Sequence, residues 1–185
     1  MSSSLVRPEN CCLHIIDPQQ SLMAHIHEAD RVVANISRLI ECARILKMPI
    51  LANTQYKKGL GPYVTQLEEM MEGIPRPDKT EFNALNNFET QVLIDGLPDT
   101  VTTLILAGVE THICIYQTAM GVLDRGLTPW VVADAVSSRS QANYELGLAR
   151  LTAAGAIVGP AEMIIYELLG RAGTPEFKAM LPHVV

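Results

Sequence analysis

The sequence predicts an α/β protein with a largely parallel sheet. Short apolar runs alternate along the chain with longer segments in which apolar residues recur every three or four positions, the patterns of strands and helices. The strand-like runs are apolar on both faces, as in a parallel sheet covered by helices on two sides. The length of 185 residues fits one domain at roughly 150 residues per domain, so we predict a single domain over residues 1–185.

Five strands follow from the apolar runs. The first ends at Asp17-Pro18, because a proline pushes the preceding residue into extended geometry. The later runs are short and are separated by turn-forming residues or by helical patterns. The five predicted strands are 11–16, 49–54, 102–109, 129–136 and 156–158.

The helices are predicted from apolar periodicity together with start and stop signals. Asp30 is expected to cap the first long helix, Ser140 a later one, and Thr174-Pro175 opens the last, with proline at the first helical position. Gly126 is a stop signal at the end of the helix that follows strand 102–109. The predicted helices are 30–47, 83–96, 110–126, 140–153 and two terminal ones from 161 and 174, with a loop over 55–62.

Composition excludes several function classes. Lys and Arg number 14 against 20 Asp and Glu, giving a net charge of −6, and no basic cluster exists for nucleic acid or an anionic membrane surface. No apolar stretch is long enough to span a bilayer, and residues 1–10 lack the apolar core of a signal peptide. The four cysteines show no CxxC spacing. We therefore expect a reduced, intracellular protein, most simply cytoplasmic.

No common cofactor motif is present. The sequence lacks G-x-G-x-x-G, G-x-x-x-x-G-K-[ST] and G-x-S-x-G, so no cofactor is expected. His25 and His27 could place two imidazoles on one side of an extended segment, but no third ligand is near them. They are interpreted as surface histidines, and no metal site is predicted.

One cysteine stands apart from the other three. Cys11 and Cys12 begin a core strand and Cys42 lies in a helix, whereas Cys114 falls in the first turns of the helix after an apolar strand. There the helix dipole and a nearby cation would lower the pKa of a thiol.

Two further residues support a catalytic role for Cys114. Asp17 lies at the end of the first strand, and Lys79 can reach the same edge of the sheet. A thiol, a carboxylate that takes its proton and a cation make a nucleophilic set.

Three motifs in this order resemble those of the isochorismatase-like cysteine hydrolases. They are Ile16-Asp-Pro-Gln19, Lys79-Thr-Glu-Phe82 and Gly108-Val-Glu-Thr-His-Ile-Cys-Ile115. Further segments resemble a branch of that family whose substrates are unassigned: Thr54-Gln-Tyr-Lys-Lys-Gly-Leu-Gly61, Leu123-Asp-Arg-Gly-Leu127 and Asp134-Ala-Val-Ser-Ser-Arg-Ser-Gln141.

The resemblance implies a three-layer Rossmann-like sandwich with a six-stranded parallel sheet in the order 3-2-1-4-5-6. It implies that Asp17, Lys79 and Cys114 form a catalytic triad. It also implies a cis peptide between Val109 and Glu110, with the N–H groups of Glu110 and Cys114 as an oxyanion hole. The metal site of the nicotinamidase branch has no counterpart, because no histidine lies between His27 and His112.

The function predicted is hydrolysis of a carbon–nitrogen bond of a small molecule, most simply an amide, through a thioester on Cys114. Pocket residues are expected among Gln19, Tyr56, Phe82 and Gln117, together with Val109 and Glu110 at the cis peptide. Two alternatives stay open: a binding or regulatory protein on the same scaffold, and a redox protein with Cys114 as its peroxidatic thiol.

A homo-oligomer, a dimer or larger, is also expected. Members of the family are usually oligomeric, and the chain carries apolar segments that look exposed in sequence. These segments are Leu123 with Leu127, Met180-Leu181 and Val184-Val185.

Overall fold

A computed structural model describes residues 5–184. Its strands are β1 (Cys11–Ile16), β2 (Ile50–Gln55), β3 (Asp78–Lys79), β4 (Thr103–Val109), β5 (Thr128–Ser137) and β6 (Ile157–Gly159). They form one sheet in the order β3-β2-β1-β4-β5-β6, and every neighbouring pair is parallel. The predicted fold class and strand order are confirmed.

Helices cover both faces of the sheet. They are α1 (Gln20–Met23), α2 (Ala29–Ile45), α3 (Lys57–Leu60), α4 (Thr65–Met70), α5 (Phe88–Asp95), α6 (Tyr116–Asp124), α7 (Gln141–Ala153), α8 (Ala161–Leu169) and α9 (Pro175–Val184). Single 3₁₀ turns lie at Pro8–Asn10 and Ala84–Asn86, and a π-helical turn lies at Thr111–Ile115.

Each face of the sheet carries its own hydrophobic core. Leu13 and Ile15 of β1 belong to the core shared with α2, α8 and α9, whereas Cys12 and Ile16 belong to the core shared with α6 and α7. This division follows from the alternation of side chains along a strand. All residues of β1 and β4 are buried, as their largely apolar sequences predict.

Two of the predicted helix caps had different outcomes. The Ser140 cap is confirmed, because Ser140 Oγ accepts a hydrogen bond from the Asn143 N–H at 3.2 Å. The Asp30 cap is wrong: α2 begins at Ala29, after Glu28 turns the chain in the left-handed region at φ 52° with no side-chain cap. A backbone turn starts this helix, so its first residue precedes the polar residue that the pattern favours.

The predicted helix over 83–96 is broken into two elements. The Asn83 side chain accepts from the Leu85 N–H at 2.9 Å, and the Asn87 side chain accepts from the Thr90 N–H at 3.1 Å. Each asparagine therefore caps a new element, as short polar side chains do when they compete with the helix backbone. The predicted helix 110–126 is likewise divided at Ile115, where the π-helical turn gives way to α6.

Four short elements, α1, α3, α4 and β3, were not predicted from the sequence. The predicted loop 55–62 contains α3, which starts after Tyr56 at φ 40°, and α4 follows it. Strand β3 has only two residues, which is too few to show an alternating pattern. The sixth strand therefore followed only from the family resemblance.

The segments predicted to be exposed are largely not. Met180 is fully buried in the core, so that prediction is wrong for this residue, and Leu123 and Leu127 are half-buried. Leu181 is exposed, and Val185 lies outside the described residues. Among the residues that the structure describes, the most exposed large apolar side chains occur elsewhere, at Phe88, Leu146 and Leu5.

The three cysteines predicted to be core residues are buried and free: Cys11, Cys12 and Cys42. Among residues 5–184 no helix combines the length and apolar character needed to cross a membrane.

Candidate active site

Asp17 lies at the carboxyl end of β1, the strand between β2 and β4. Its backbone is in the left-handed region at φ 56°, and its N–H donates to the Asn53 carbonyl at 3.2 Å. This bond ties the turn to the end of β2. The Asp17 side chain is fully buried, which is unusual for a carboxylate unless it is paired.

Lys79 supplies the pairing charge from β3 at the edge of the sheet. Lys79 Nζ donates to Asp17 Oδ2 at 2.7 Å and to Gln55 Oε1 at 2.6 Å, and its side chain is fully buried. Asp17 Oδ1 has no hydrogen-bond partner within residues 5–184. One carboxylate oxygen is therefore held by the ammonium and the other is left without a donor.

The end of β4 approaches β1 so closely that only glycine fits there. Gly108 has φ 126°, and a Cβ atom at this position would lie 1.9 Å from the Ile16 carbonyl oxygen. The contact brings the segment after β4 against the turn that carries Asp17.

Cys114 lies in the π-helical turn that follows. The Glu110 carbonyl accepts from the Ile115 N–H at 3.2 Å, the five-residue spacing of a π turn. Cys114 Sγ lies 3.8 Å from Lys79 Nζ, and the residue is 7% exposed. The structure therefore brings Asp17, Lys79 and Cys114 together around one ammonium group, at the sheet edge where ligands of such folds bind.

The expected low pKa of the thiol is not found. Burial, and after it the nearby Asp17 carboxylate, raise the pKa of Cys114 from 9.0 to about 12, although Lys79 opposes the rise. Burial also raises the pKa of Asp17, again against Lys79. The prediction was wrong because it counted the cation and the helix terminus but not desolvation. The resting thiol is protonated at neutral pH.

Glu110 shapes the turn after β4 through both its backbone and its side chain. The Val109–Glu110 peptide is cis, as the resemblance implies. The Glu110 N–H makes no hydrogen bond within residues 5–184. The buried Glu110 carboxylate accepts from the Arg139 N–H at 2.8 Å and from Arg139 Nε at 3.1 Å, which joins the turn after β4 to the end of β5.

The remaining predicted pocket residues separate into two groups. Tyr56 and Phe82 are each 52% exposed, and Gln117 is exposed on α6. Gln19 is fully buried, and its amide bonds the backbone of Gln55 and Gly61 at 2.7–3.1 Å. Gln19 thus joins two loops and its side chain is used in packing them together, and its contact with a substrate stays a prediction. Val109 is also fully buried and contributes only backbone.

Gln55 was not among the predicted site residues. Its Oε1 accepts from Lys79 Nζ, and its Nε2 donates to the Thr80 carbonyl at 2.9 Å. The available signal was position alone, since Gln55 is the last residue of β2 and polar side chains at that edge are candidates for function.

No three His, Cys, Asp or Glu side chains within residues 5–184 are grouped so that they could hold a metal ion. His25 is exposed and His27 half-buried, as their interpretation as surface histidines predicts. Independence from metals stays a prediction.

The fold and the site together define a class. A parallel α/β sheet that gathers a thiol, a carboxylate and an ammonium at the ends of its strands is typical of a hydrolase-type fold.

The chain belongs to the isochorismatase family: the family model described as "Isochorismatase domain" matches residues 11–163. The chain is similar to the human "Isochorismatase domain-containing protein 2", with 35% identity over 94% of this chain and 82% of the relative.

Solved structures agree with this assignment. A structure described as the MAR1 ribonuclease from Caenorhabditis elegans is 35% identical, covers 98% of this chain and 92% of that one, and has a TM-score of 0.90. The YcaC gene product from Escherichia coli, described as an octameric hydrolase of unknown specificity, is 20% identical with a TM-score of 0.91, covering 100% of this chain and 93% of that one. At that identity the second likeness establishes the fold alone.

Proposed function

We propose that the protein is a cysteine hydrolase that cleaves a carbon–nitrogen, amide-type bond of a small molecule through a thioester on Cys114. The observation that carries the proposal is the position of Lys79 Nζ, 2.7 Å from Asp17 Oδ2 and 3.8 Å from Cys114 Sγ. Burying a charged group costs free energy. The buried Lys79 ammonium lies between a carboxylate and a thiol, the two groups that the proposed reaction uses.

In the first half of the reaction, the unpaired Asp17 Oδ1 accepts the thiol proton and Cys114 Sγ bonds to the substrate carbonyl carbon. The tetrahedral intermediate then breaks its carbon–nitrogen bond, and Asp17 returns the proton to the leaving amine. Because the resting thiol is protonated, its proton passes to Asp17 only when Cys114 attacks the bound substrate. Lys79 holds the carboxylate and offsets the negative charge as it passes to sulfur.

In the second half, water attacks the thioester carbon while Asp17 accepts a proton from the water. The carbon–sulfur bond breaks, the proton returns to Cys114 Sγ, and a carboxylic acid leaves. The N–H groups of Glu110 and Cys114 would bind the oxyanion in both halves. The absence of a hydrogen-bond partner for the Glu110 N–H within residues 5–184 supports this role.

Tyr56, Phe82 and Gln117 are proposed to contact the substrate. Their exposed side chains lie on the segments that carry the triad, with Tyr56 just after β2, Phe82 three residues after Lys79 and Gln117 three residues after Cys114. Two aromatic rings and an amide would suit an uncharged or aromatic amide.

The direct test is single-turnover mass spectrometry of the intact protein with a panel of amides and esters. We expect at least one member to add its acyl mass, with the adduct on Cys114. Cys114→Ala should abolish the adduct, and Cys42→Ala, which removes a buried thiol remote from the site, should keep it.

Two results would replace the proposal. No adduct with any member would favour a binding or regulatory protein on this scaffold. A stable sulfenic acid at Cys114 together with rapid peroxide consumption would favour a redox thiol; within residues 5–184 the other cysteines are buried and free, in β1 and α2.

An RNA substrate is suggested by the description of the 35% identical nematode structure. The net charge of −6 disfavours it, because RNA binding depends on basic groups that neutralise phosphates. Cleavage of RNA by the wild type that is lost in Cys114→Ala would establish this function instead.

We also propose that the protein is a homo-oligomer. The octameric description of a protein with the same fold and the exposed Phe88 and Val92, one turn apart on α5, support it. Sedimentation at micromolar concentration should give a species larger than the 20.2 kDa chain; a species of that mass alone would refute it.

A further inference from the structure

β1 contains one polar side chain among its apolar neighbours, and that side chain is fully buried. His14 Nε2 lies 2.7 Å from Asn53 Oδ1, and His14 Nδ1 has no hydrogen-bond partner within residues 5–184. Burial lowers the pKa of His14 to about 4, so the imidazole is neutral at physiological pH. The proposed reaction makes no use of it.

The hydrogen bonds around Asn53 determine which nitrogen of His14 carries the proton. Asn53 Nδ2 donates to the Pro77 carbonyl at 3.1 Å and to Thr90 Oγ1 at 2.7 Å. Both amide hydrogens are therefore used, and Oδ1 can only accept. The proton of the neutral imidazole must lie on Nε2.

Asn53 in turn contacts the segments that carry two of the triad residues. Its carbonyl accepts the Asp17 N–H at 3.2 Å, and its side chain bonds the carbonyl of Pro77, two residues before Lys79. The Asn53 backbone carbonyl also accepts a hydrogen bond from the Tyr63 hydroxyl, at 2.5 Å. One asparagine therefore fixes the turn of Asp17 and the entry to β3.

We propose that His14 and Asn53 are a pair of positioning residues that set the distance between Asp17 and Lys79 in the candidate active site. Without the His14 donor, Asn53 Oδ1 is left buried and unpaired, which favours reorientation of the amide. Reorientation breaks the bond to Pro77 and loosens β3. The Lys79 ammonium then leaves the thiol, and the pKa of Cys114 rises further.

The first test uses the wild-type protein and needs no substrate. The ¹⁵N chemical shifts of the His14 ring at neutral pH should show a neutral imidazole protonated at Nε2. An Nδ1–H tautomer or a charged ring would refute the hydrogen-bond network and with it the proposal.

The second test compares three variants of the same sheet face. His14→Leu removes the donor, His14→Gln keeps one, and Leu106→Ala opens a cavity at the position on β4 that pairs with His14. The readouts are the iodoacetamide rate at Cys114 against pH and the ¹⁵Nζ signal of Lys79. Both are measured under conditions where each variant is folded.

We expect His14→Leu to slow alkylation about threefold or more, since each unit of thiol pKa changes the thiolate fraction tenfold, and to broaden the Lys79 signal. His14→Gln should restore both readouts, and Leu106→Ala should leave both as in the wild type. If His14→Leu does not fold, Thr90→Val, which removes the hydroxyl that Asn53 Nδ2 donates to, should shift both readouts in the same direction by less.

The proposal is overturned if His14→Leu, or Thr90→Val in its place, gives the same alkylation rate and Lys79 signal as Leu106→Ala. His14 would then be an ordinary core residue. The inference rests on the proposed function, because that function makes the site an active site. The two can nevertheless be refuted independently. Alkylation and the Lys79 signal need no turnover, so an inactive protein with the predicted shifts would reject only the hydrolase.

Discussion

Cys12 and Cys114 are buried to a similar degree, and burial raises the pKa of each thiol from 9.0 to about 12. Their surroundings differ. Cys12 Sγ lies 3.6 Å from a backbone carbonyl oxygen, whereas Cys114 Sγ lies 3.8 Å from an ammonium that is paired with a carboxylate. A raised pKa therefore does not distinguish a structural cysteine from the proposed nucleophile. What distinguishes Cys114 is the ammonium–carboxylate pair beside it, whose carboxylate can accept the thiol proton.

The strongest test of this difference is the loss of acyl transfer when either charged group is neutralised. Asp17→Asn and Lys79→Met should each lower the rate of thioester formation about 10²–10⁴-fold, the usual contribution of a positioned acid or base. Single-turnover mass spectrometry measures it. Arg125→Met, which removes an exposed partner of Asp95, is the control and should act as wild type. A triad variant with undiminished acylation would remove that residue from the mechanism.

A smaller effect separates the roles of the two charges by sign. Lys79→Met removes the cation beside Cys114, so the thiol pKa should rise and alkylation at pH 8 should slow. Asp17→Asn removes a like charge, so the pKa should fall and alkylation should quicken, by about tenfold per unit of pKa in either direction. The measurement is the iodoacetamide rate against pH.

Equal slowing in both variants would make Asp17 an orienting group and not a base. Because the thiol and the carboxyl titrate as a coupled set, the comparison is between whole profiles. Cys12 in the same samples reports any general opening of the fold.

A third effect is shared by all four cysteines and should not distinguish them. The folded-state pKa of Cys11, Cys12, Cys42 and Cys114 is about 12 against 9.0 when exposed. The folded state thus keeps protons that the unfolded state loses. The stability from each thiol is complete below pH 9 and is lost as pH rises toward 12, by about 1 kcal/mol per pH unit.

Urea unfolding in reducing buffer between pH 8 and pH 10.5 measures this loss. Cys42→Ala should make the decline shallower, and so should Cys114→Ala, to a similar extent. If only Cys114→Ala changed the slope, the core thiols would be less desolvated than their burial indicates.

The smallest expected effect is that of chelation. Exhaustive treatment with EDTA should leave Cys114 acylation unchanged, because the proposed mechanism takes its nucleophile, base and cation from the Cys114, Asp17 and Lys79 side chains. Loss of acylation that Zn²⁺ or Fe²⁺ restores would mean that the segment after β2 binds a metal after all.

The sequence predicted the long elements of the fold and three residues that the structure brings together, Asp17, Lys79 and Cys114, and it missed what depends on three-dimensional closeness. β1 and β4 were recognisable because each is an almost continuous run of apolar residues. β3 was not, because two residues carry no period. Gln55 was missed because only its approach to Lys79 gives it a role.

The errors share one physical origin. Met180 was expected to lie in an exposed segment, yet it is fully buried among side chains that meet only in the folded chain. The pKa of Cys114 was expected to fall, yet desolvation depends on how completely other segments cover the thiol. Sequence position gives the identity of a group and its strand, whereas burial and pairing are properties of the packed molecule.

The spacing of the triad along the chain has a consequence for folding. Lys79 lies 62 residues from Asp17 and 35 from Cys114, and no contiguous fragment shorter than 17–114 holds all three groups. Contacts between distant segments form late, because closing long loops costs entropy before the contact compensates for it. The ammonium therefore reaches the thiol only after four parallel strands, β3, β2, β1 and β4, have joined. The chemistry of Cys114 is in this sense a reporter of completed folding, and a partly folded chain carries an ordinary, unassisted thiol.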